Sequence, residues 1–353
     1  HRIARRQRQM CIRDSKNHPK NDQVCRKMII AVFSVLFIAL LMSIPIAVSL
    51  GMASIVGLYS LSPELLVLAP QKFLTGINSF TLLAIPMFIL AGTIMGSGGI
   101  AARIVNFCLI FVGRVKGGLG FVVILATMFF SGVCGSASAD TAAIGSTTMP
   151  EMLKRKYPKP FATALLAASG ATASIIPPSI DLIIIGIVSG ISIGGLFAAG
   201  ILPGIFNAVA LMCLCFYFSK KLDLPVTEKT SLGEKFKIFK EGILAIFMPI
   251  IILGGILGGV FTPTEASAVA VVYGFIVSMF VYKEMGWKDL PAIFLQAAKL
   301  TGIVMLVLSM ASCFSFVLAF DRIPHLIAQF IVTFADNWII FVICVKYYSS
   351  FFV

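Results

Sequence analysis

The 353 residues predict an all-α polytopic membrane protein, and composition and patterning agree on it. The chain is 59% hydrophobic and only 12% charged, with a mean hydropathy of +1.00. Soluble domains carry about 25% charged residues. Long apolar stretches follow one another from Met28 almost to the C-terminus, so the bilayer is the solvent and helices are the default element. No run of alternating, roughly ten-residue segments marks an outer-membrane barrel.

The net charge of +13 does not point to nucleic acid. Nine of the 28 Lys and Arg precede Met28, and most of the rest sit in short connections between apolar segments. Cytoplasmic loops have this distribution. The eight Cys are scattered, mostly inside apolar runs, and Cys213-x-Cys215 has neither zinc nor redox spacing. No disulfide, transition metal or cofactor is expected. Residues 1–27 form a basic stretch without periodicity, a cytoplasmic tail or a non-native leader, and are set aside from the fold. The chain starts at His1 and stops inside the apolar run Phe351-Phe352-Val353, so a fragment is expected.

At about 1.5 Å per residue, Met28–Ser60 would measure roughly 50 Å, too long for one untilted span. Pro45 is placed to kink or break it. Leu61–Ser79 reads as an external connection and Phe80–Met95 as the next span. Gly96-Ser-Gly-Gly99 then leads to a short helix, Ile100–Gly113, whose Arg103 and Arg114 place this end in the cytoplasm.

Between Lys116 and Lys154 lie two apolar arms, Leu119–Phe130 and Thr141–Met149, each short of the ~20 residues a span needs. Small and polar residues, Ser131–Asp140, separate them, and both outer ends are basic. With both ends cytoplasmic, residues 117–151 form a re-entrant hairpin turning at Gly135–Asp140. One long helix with a polar patch is the alternative, and it would put a basic cluster outside. Residues 161–193 follow as a broken helix. Gly170–Ser174 loosens it, and Pro177-Pro178 removes two amide donors. Irregular backbone at membrane depth survives where protein or a wet cavity satisfies it. A proline kink with a packing role explains the prolines but not the Thr172, Ser174 and Ser179 hydroxyls beside them.

Gly194–Phe218 returns the chain to Lys220-Lys221, and residues 220–241, with six Lys, read as a cytoplasmic linker between a first half (28–219) and a second (242–353). Gly242–Val260 crosses outward. Thr262-Pro-Thr-Glu265 has the pattern of a capping box with Pro at the first helical position. Ala266–Tyr282 and Ile293–Phe320 are further spans. Thr301–Ile327 echoes Phe80–Ile104 with opposite orientation, as inverted repeats do in secondary transporters.

A transport site needs carbonyls and hydroxyls for a cation and helix N-termini for anionic groups. The hairpin offers Gly135, Ser136, Ser138, Asp140 and Thr141. The broken helix offers Gly170, Thr172, Ser174, Pro177, Pro178 and Ser179. Asp140 reads equally as an ion ligand or as the N-cap of an arm starting at Thr141; Asp181 is a capping candidate, and so is Glu265. Catalysis finds no support. Among His1, His18 and His325 none sits in a membrane segment beside a nucleophile or metal ligand, and no Walker-type loop is present.

Five blocks carry a resemblance: Gly135-Ser-Ala-Ser-Ala-Asp-Thr-Ala-Ala-Ile-Gly-Ser146 with Met149-Pro-Glu-Met152; Ile176-Pro-Pro-Ser-Ile180; Gly186 with Ser192-Ile-Gly194; Ala84–Gly92; and Phe261–Ala270. In their order along the chain they resemble the large membrane subunit of tripartite ATP-independent periplasmic (TRAP) transporters, from about Ile29 to Asn337. The resemblance implies an elevator-type inverted-repeat fold in the bacterial inner membrane. It implies a symporter of organic acids such as C4-dicarboxylates, with sodium as coupling ion, a small membrane subunit and a periplasmic solute-binding protein. It also implies a second hairpin and a second broken helix, expected beyond Val353, so that the chain as it stands is not expected to transport. Residues 338–353 depart from the pattern at Lys346-Tyr-Tyr-Ser-Ser. Two other functions fit the residues: a stand-alone sodium/dicarboxylate symporter, and a non-transporting membrane assembly subunit.

Overall fold

The computed structural model describes residues 19–226 and 232–320, and every element in them is helical. The expected tail before Pro19, the echo beyond Phe320 and the departure at 338–353 lie outside the described residues. The chain divides into two compact units, residues 79–302 and residues 1–78 with 303–353. Among the described residues, five helical segments are long and apolar enough to cross a membrane: Phe80–Ser97, Ile193–Lys221, Gly233–Leu257, Pro263–Val281 and Leu290–Phe320. The protein is therefore an all-α polytopic membrane protein.

In the unit containing the N-terminus, α1 (Pro19–Leu41) and α2 (Ile46–Leu61) replace the over-long first apolar region. The break falls at Met42–Pro45, where Ser43 is left-handed (φ 61) and Pro45 stands just before α2. Connection 61–79 is itself helical, a 3-10 turn at Pro63–Val67 followed by α3 (Leu68–Thr75). Met28, Val32, Ala53, Leu58, Cys313 and Val317 share one core. Gly57 lies so close to its neighbours that a Cβ there would stand 2.9 Å from Val32 and 2.6 Å from Val317.

The larger unit opens with a 3-10 turn, Phe80–Leu83, and α4 (Ala84–Ser97), ended by the glycines as expected. After Gly99, left-handed at φ 70, α5 (Ile100–Val112) buries Ile100, Ile104, Val105 and Cys108 on one face. The hairpin is α6 (Gly118–Cys134) and α7 (Ala137–Lys154). The broken helix is α8 (Lys159–Ala171), a 3-10 turn at Thr172–Ser174, an irregular stretch to Ser179, and α9 (Ile180–Ser189). Next comes α10 (Ile193–Lys221), then α11 (Leu232–Leu257) and α12 (Pro263–Ile276), which a π turn (Val277–Val281) extends. Last comes α13 (Leu290–Phe320).

Two sequence expectations change. The hairpin arms are 17 and 18 residues long, not short stubs, and only Gly135 and Ser136 lie outside helix. Small polar residues such as Ala137-Ser-Ala-Asp140 do not forbid helix once Ser136 stands at the N-cap position, and Asp140 then suits the first turn. The polar linker is likewise narrower than its composition suggests, because α10 runs to Lys221 and α11 begins at Leu232.

Apolar side chains face outward as well as inward, as lipid-facing helices require. On α10, Leu202 and Phe206 are each 76% exposed, while the opposite face is glycine-rich. The capping box forms as read: the Glu265 amide donates to Thr262 Oγ1 (3.3 Å), and the Thr262 amide donates to Glu265 Oε2 (2.8 Å).

The basic ends meet. Lys116 pairs with Asp223 at 2.8 Å, at the point where the start of α6 lies beside the end of α10. Tyr157, between α7 and α8, lies against the backbone of Leu119 and Gly120, and burial pushes its hydroxyl up to about 12. Both feet of the hairpin thus lie at one end of the unit.

Candidate functional site

The tip of the hairpin rests on the break. Gly135 closes α6 in the left-handed region (φ 58), its amide donating to the Ser131 carbonyl at 3.0 Å. Its own carbonyl accepts from the Ile180 amide at 3.4 Å, the first amide of α9. A Cβ at Gly135 would stand 2.5 Å from the Pro178 carbonyl oxygen and 2.8 Å from Ser179 Cα, so only glycine permits this approach. Four half-helix ends therefore meet at this junction: the C-terminal ends of α6 and α8, and the N-terminal ends of α7 and α9.

The break is built by its prolines and held by its hydroxyls. The Pro177-Pro178 peptide bond is cis, and neither proline has an amide hydrogen to continue a helix. The Thr172 carbonyl accepts from the amides of Ile175 (3.1 Å) and Ile176 (3.3 Å), which ends the 3-10 turn. Ser179 Oγ reaches back across the prolines to donate to the Ser174 carbonyl at 2.8 Å. Ile176, Pro177, Pro178 and Ser179 are all buried.

A second contact joins the hairpin to the broken helix. Thr141 Oγ1, which donates to the Ala137 carbonyl (2.7 Å), occupies the place where a Cβ at Gly170 would stand. Of the residues expected from sequence, Gly135, Pro178 and Ser179 thus come together at the tip, and Thr141 and Gly170 meet beside it. Ser136 and Ser138 lie at the tip with their hydroxyls 3.4 Å apart, Ser138 exposed.

Asp140 does not cap its helix, because α7 begins at Ala137, four residues before the arm read from sequence. Its carboxylate is fully buried and accepts from Ser131 Oγ at 2.9 Å, across the hairpin. Asp181 is exposed in the first turn of α9, where no side chain caps the helix. Among the described residues no cluster of His, Cys, Asp or Glu is arranged to hold a metal ion. For a hard monovalent cation the break offers hydroxyl and carbonyl oxygens instead.

Two partners escaped the sequence reading. Ser131 is one. The other is Asn207 on α10, whose Nδ2 donates to Thr172 Oγ1 at 2.9 Å. It is the one amide in the apolar stretch Gly194–Phe218, a signal available in the sequence.

Comparison with known proteins agrees with this architecture. Residues 33–352 match the family described as tripartite ATP-independent periplasmic transporter, DctM component. A C4-dicarboxylate TRAP transporter large permease protein of Rhodobacter capsulatus is 34% identical over 329 residues, covering 89% of this chain and 75% of its own length. The 2,3-diketo-L-gulonate TRAP transporter large permease protein of Escherichia coli is 41% identical over 267 residues, 76% of this chain and 63% of its own length. An ectoine TRAP transporter large permease protein of Halomonas elongata is 37% identical over 295 residues, 82% of this chain and 68% of its own length. The chain belongs to the DctM family of TRAP transporter large permeases, which are multi-pass proteins of the bacterial inner membrane and not enzymes.

Proposed function

We propose that this chain is the membrane subunit of a sodium-coupled secondary transporter that imports organic acids, with the hairpin tip and the helix break as the first half of its cation and carboxylate site. The observation that carries this reading is the meeting of four half-helix ends around Gly135 and Pro178. The C-terminal ends of α6 and α8 turn carbonyls, and partial negative charge, toward a cation. The N-terminal ends of α7 and α9 turn amides toward a carboxylate. Broken helices in secondary transporters are used in this way. Sodium is the coupling ion of choice here because the break supplies oxygen ligands without a cage of carboxylates.

The substrate class rests on this anion-favouring geometry and on relatives named for C4-dicarboxylate and 2,3-diketo-L-gulonate. A further relative named for ectoine widens the range of solutes this scaffold serves. As in other TRAP systems, the partners are a small membrane subunit and a periplasmic solute-binding protein, and the latter sets most of the selectivity. An elevator-type movement carries the site across the bilayer.

The test is uptake by the complete permease, with its small subunit, in proteoliposomes. Radiolabelled succinate and a keto-gulonate are supplied with a purified periplasmic binding protein of the same system. Uptake is expected under an inward sodium gradient and not under a potassium gradient. Uptake without the binding protein would favour a stand-alone symporter, and unchanged uptake in Ser136→Ala and Thr172→Ala would favour an assembly role.

A further inference from the structure

The outer face of α10 is built for lipid, yet Asn207 sits on the other face, half-buried, with Gly204 one turn and Gly200 two turns before it. Residues at this spacing share one side of a helix. A Cβ at Gly200 would stand 2.7 Å from the Ile175 carbonyl oxygen, and one at Gly204 would stand 2.8 Å from Ile176 Cγ1. The two glycines therefore let the α10 backbone close on the irregular stretch, and Asn207 completes the track by reaching Thr172, four per cent exposed, at the end of α8.

The hydrogen-bond pattern at Thr172 is directional. Its hydroxyl donates to the Ala168 carbonyl at 3.2 Å and accepts from Asn207 Nδ2 at 2.9 Å. A hydroxyl has one proton and two lone pairs. With the proton committed along α8 and one lone pair taken by the amide, one lone pair remains. Such an oxygen offers only acceptor character to anything else that approaches it, which a cation ligand requires. A free hydroxyl rotor would have to turn its proton away each time a cation arrived.

We propose that Asn207 is a positioning residue for the cation site, holding the Thr172 hydroxyl as a pre-oriented acceptor. The inference rests on the reading of the break as a sodium site and adds the element that sets its affinity. Asn207 itself acts only through Thr172. A merely structural interhelical hydrogen bond, the other use of an amide in an apolar helix, would change stability and leave sodium dependence alone.

The experiment compares wild type, Asn207→Leu, Thr172→Ala and the double variant in the complete transporter. It reads the sodium concentration for half-maximal uptake, and the sodium-induced rise in melting temperature of the purified permease. Asn207→Leu and Thr172→Ala are each expected to raise half-saturating sodium roughly five- to tenfold, the loss of about one hydrogen bond. Substrate KM at saturating sodium stays unchanged, and the double variant resembles Thr172→Ala alone. Asn207→Ser, polar but too short to reach Thr172, gives the same shift if the leucine variant folds poorly. The proposal is overturned if Asn207→Leu and Asn207→Ser lower only stability or maximal rate, or if Asn207→Leu adds its full effect on top of Thr172→Ala. Unchanged sodium dependence in Thr172→Ala would instead overturn the reading of the break as a sodium site.

Discussion

The carbonyl of Gly135 accepts the first amide of α9, from Ile180, at 3.4 Å. The end of one half-helix is thereby tied to the beginning of another across the break. The arrangement demands a left-handed residue without a side chain at 135, and Gly135→Ala tests both demands together. Left-handed backbone costs an L-residue about 1–2 kcal/mol, and the new Cβ would overlap the Pro178 carbonyl at 2.5 Å. The variant is expected to melt lower than wild type and to lose uptake. Retention of wild-type sodium-dependent uptake would show that the tip does not need this approach.

Gly170 and Thr141 form the second joint. A Cβ at Gly170 would fall on Thr141 Oγ1 and lie 3.2 Å from the Ala137 carbonyl. Overpacking of this kind costs about 1–3 kcal/mol. Gly170→Ala is expected to lose stability by about that amount and Thr141→Ala to restore part of it in the double variant. A double-mutant cycle on melting temperature measures the coupling; additive effects would place the clash elsewhere.

How much of this was legible in the sequence depends on whether the cause was local. Pro45, Pro177 and Pro178 interrupt helices by their own chemistry, and the Gly96–Gly99 run ends one, so the breaks in the first apolar region, the broken helix and α4 were all readable. The capping box at Thr262–Glu265 was readable for the same reason. The extent of the hairpin arms was not, because Ser131–Asp140 is neither apolar nor helix-breaking, and packing decided that it folds as helix around two turn residues. Asn207 was missed because its partner, Thr172, lies 35 residues away, and a lone amide in an apolar run names no partner. Of the two sequence readings of Asp140, the N-cap fails because the helix starts at Ala137 rather than Thr141.

The Lys116–Asp223 pair offers a test at the basic end of the unit. The Lys116 hydrogen bond and charge hold the Asp223 carboxyl below the usual carboxylate range. With a lowered folded-state pKa, any stabilisation is present above the unfolded value of about 3.9 and is lost as pH falls through the lowered one. The side chains are 55% and 86% exposed, and exposed pairs are worth little once salt screens them. Asp223→Asn is therefore expected to leave the melting temperature at neutral pH and about 150 mM salt unchanged. A clear drop under those conditions would mean that the pair locks the hairpin foot more strongly than its exposure implies.

The last relationship separates a brace from a ligand. Ser131 and Asp140 stand on opposite arms of the hairpin, both fully buried, joined by the 2.9 Å bond from the serine hydroxyl. Hydrogen bonds to charged groups contribute about 1.5–3 kcal/mol, so Ser131→Ala is expected to lower stability by an amount in that range. The serine spends its hydroxyl proton on the carboxylate within the hairpin and is not one of the proposed cation ligands. Half-saturating sodium should consequently stay at the wild-type value in Ser131→Ala while the melting temperature falls. Ser131→Ala combined with Asp140→Ala should destabilise by less than the sum of the single changes, since both remove the same bond. A several-fold rise in half-saturating sodium from Ser131→Ala alone would contradict the brace and move this pair into the ion site.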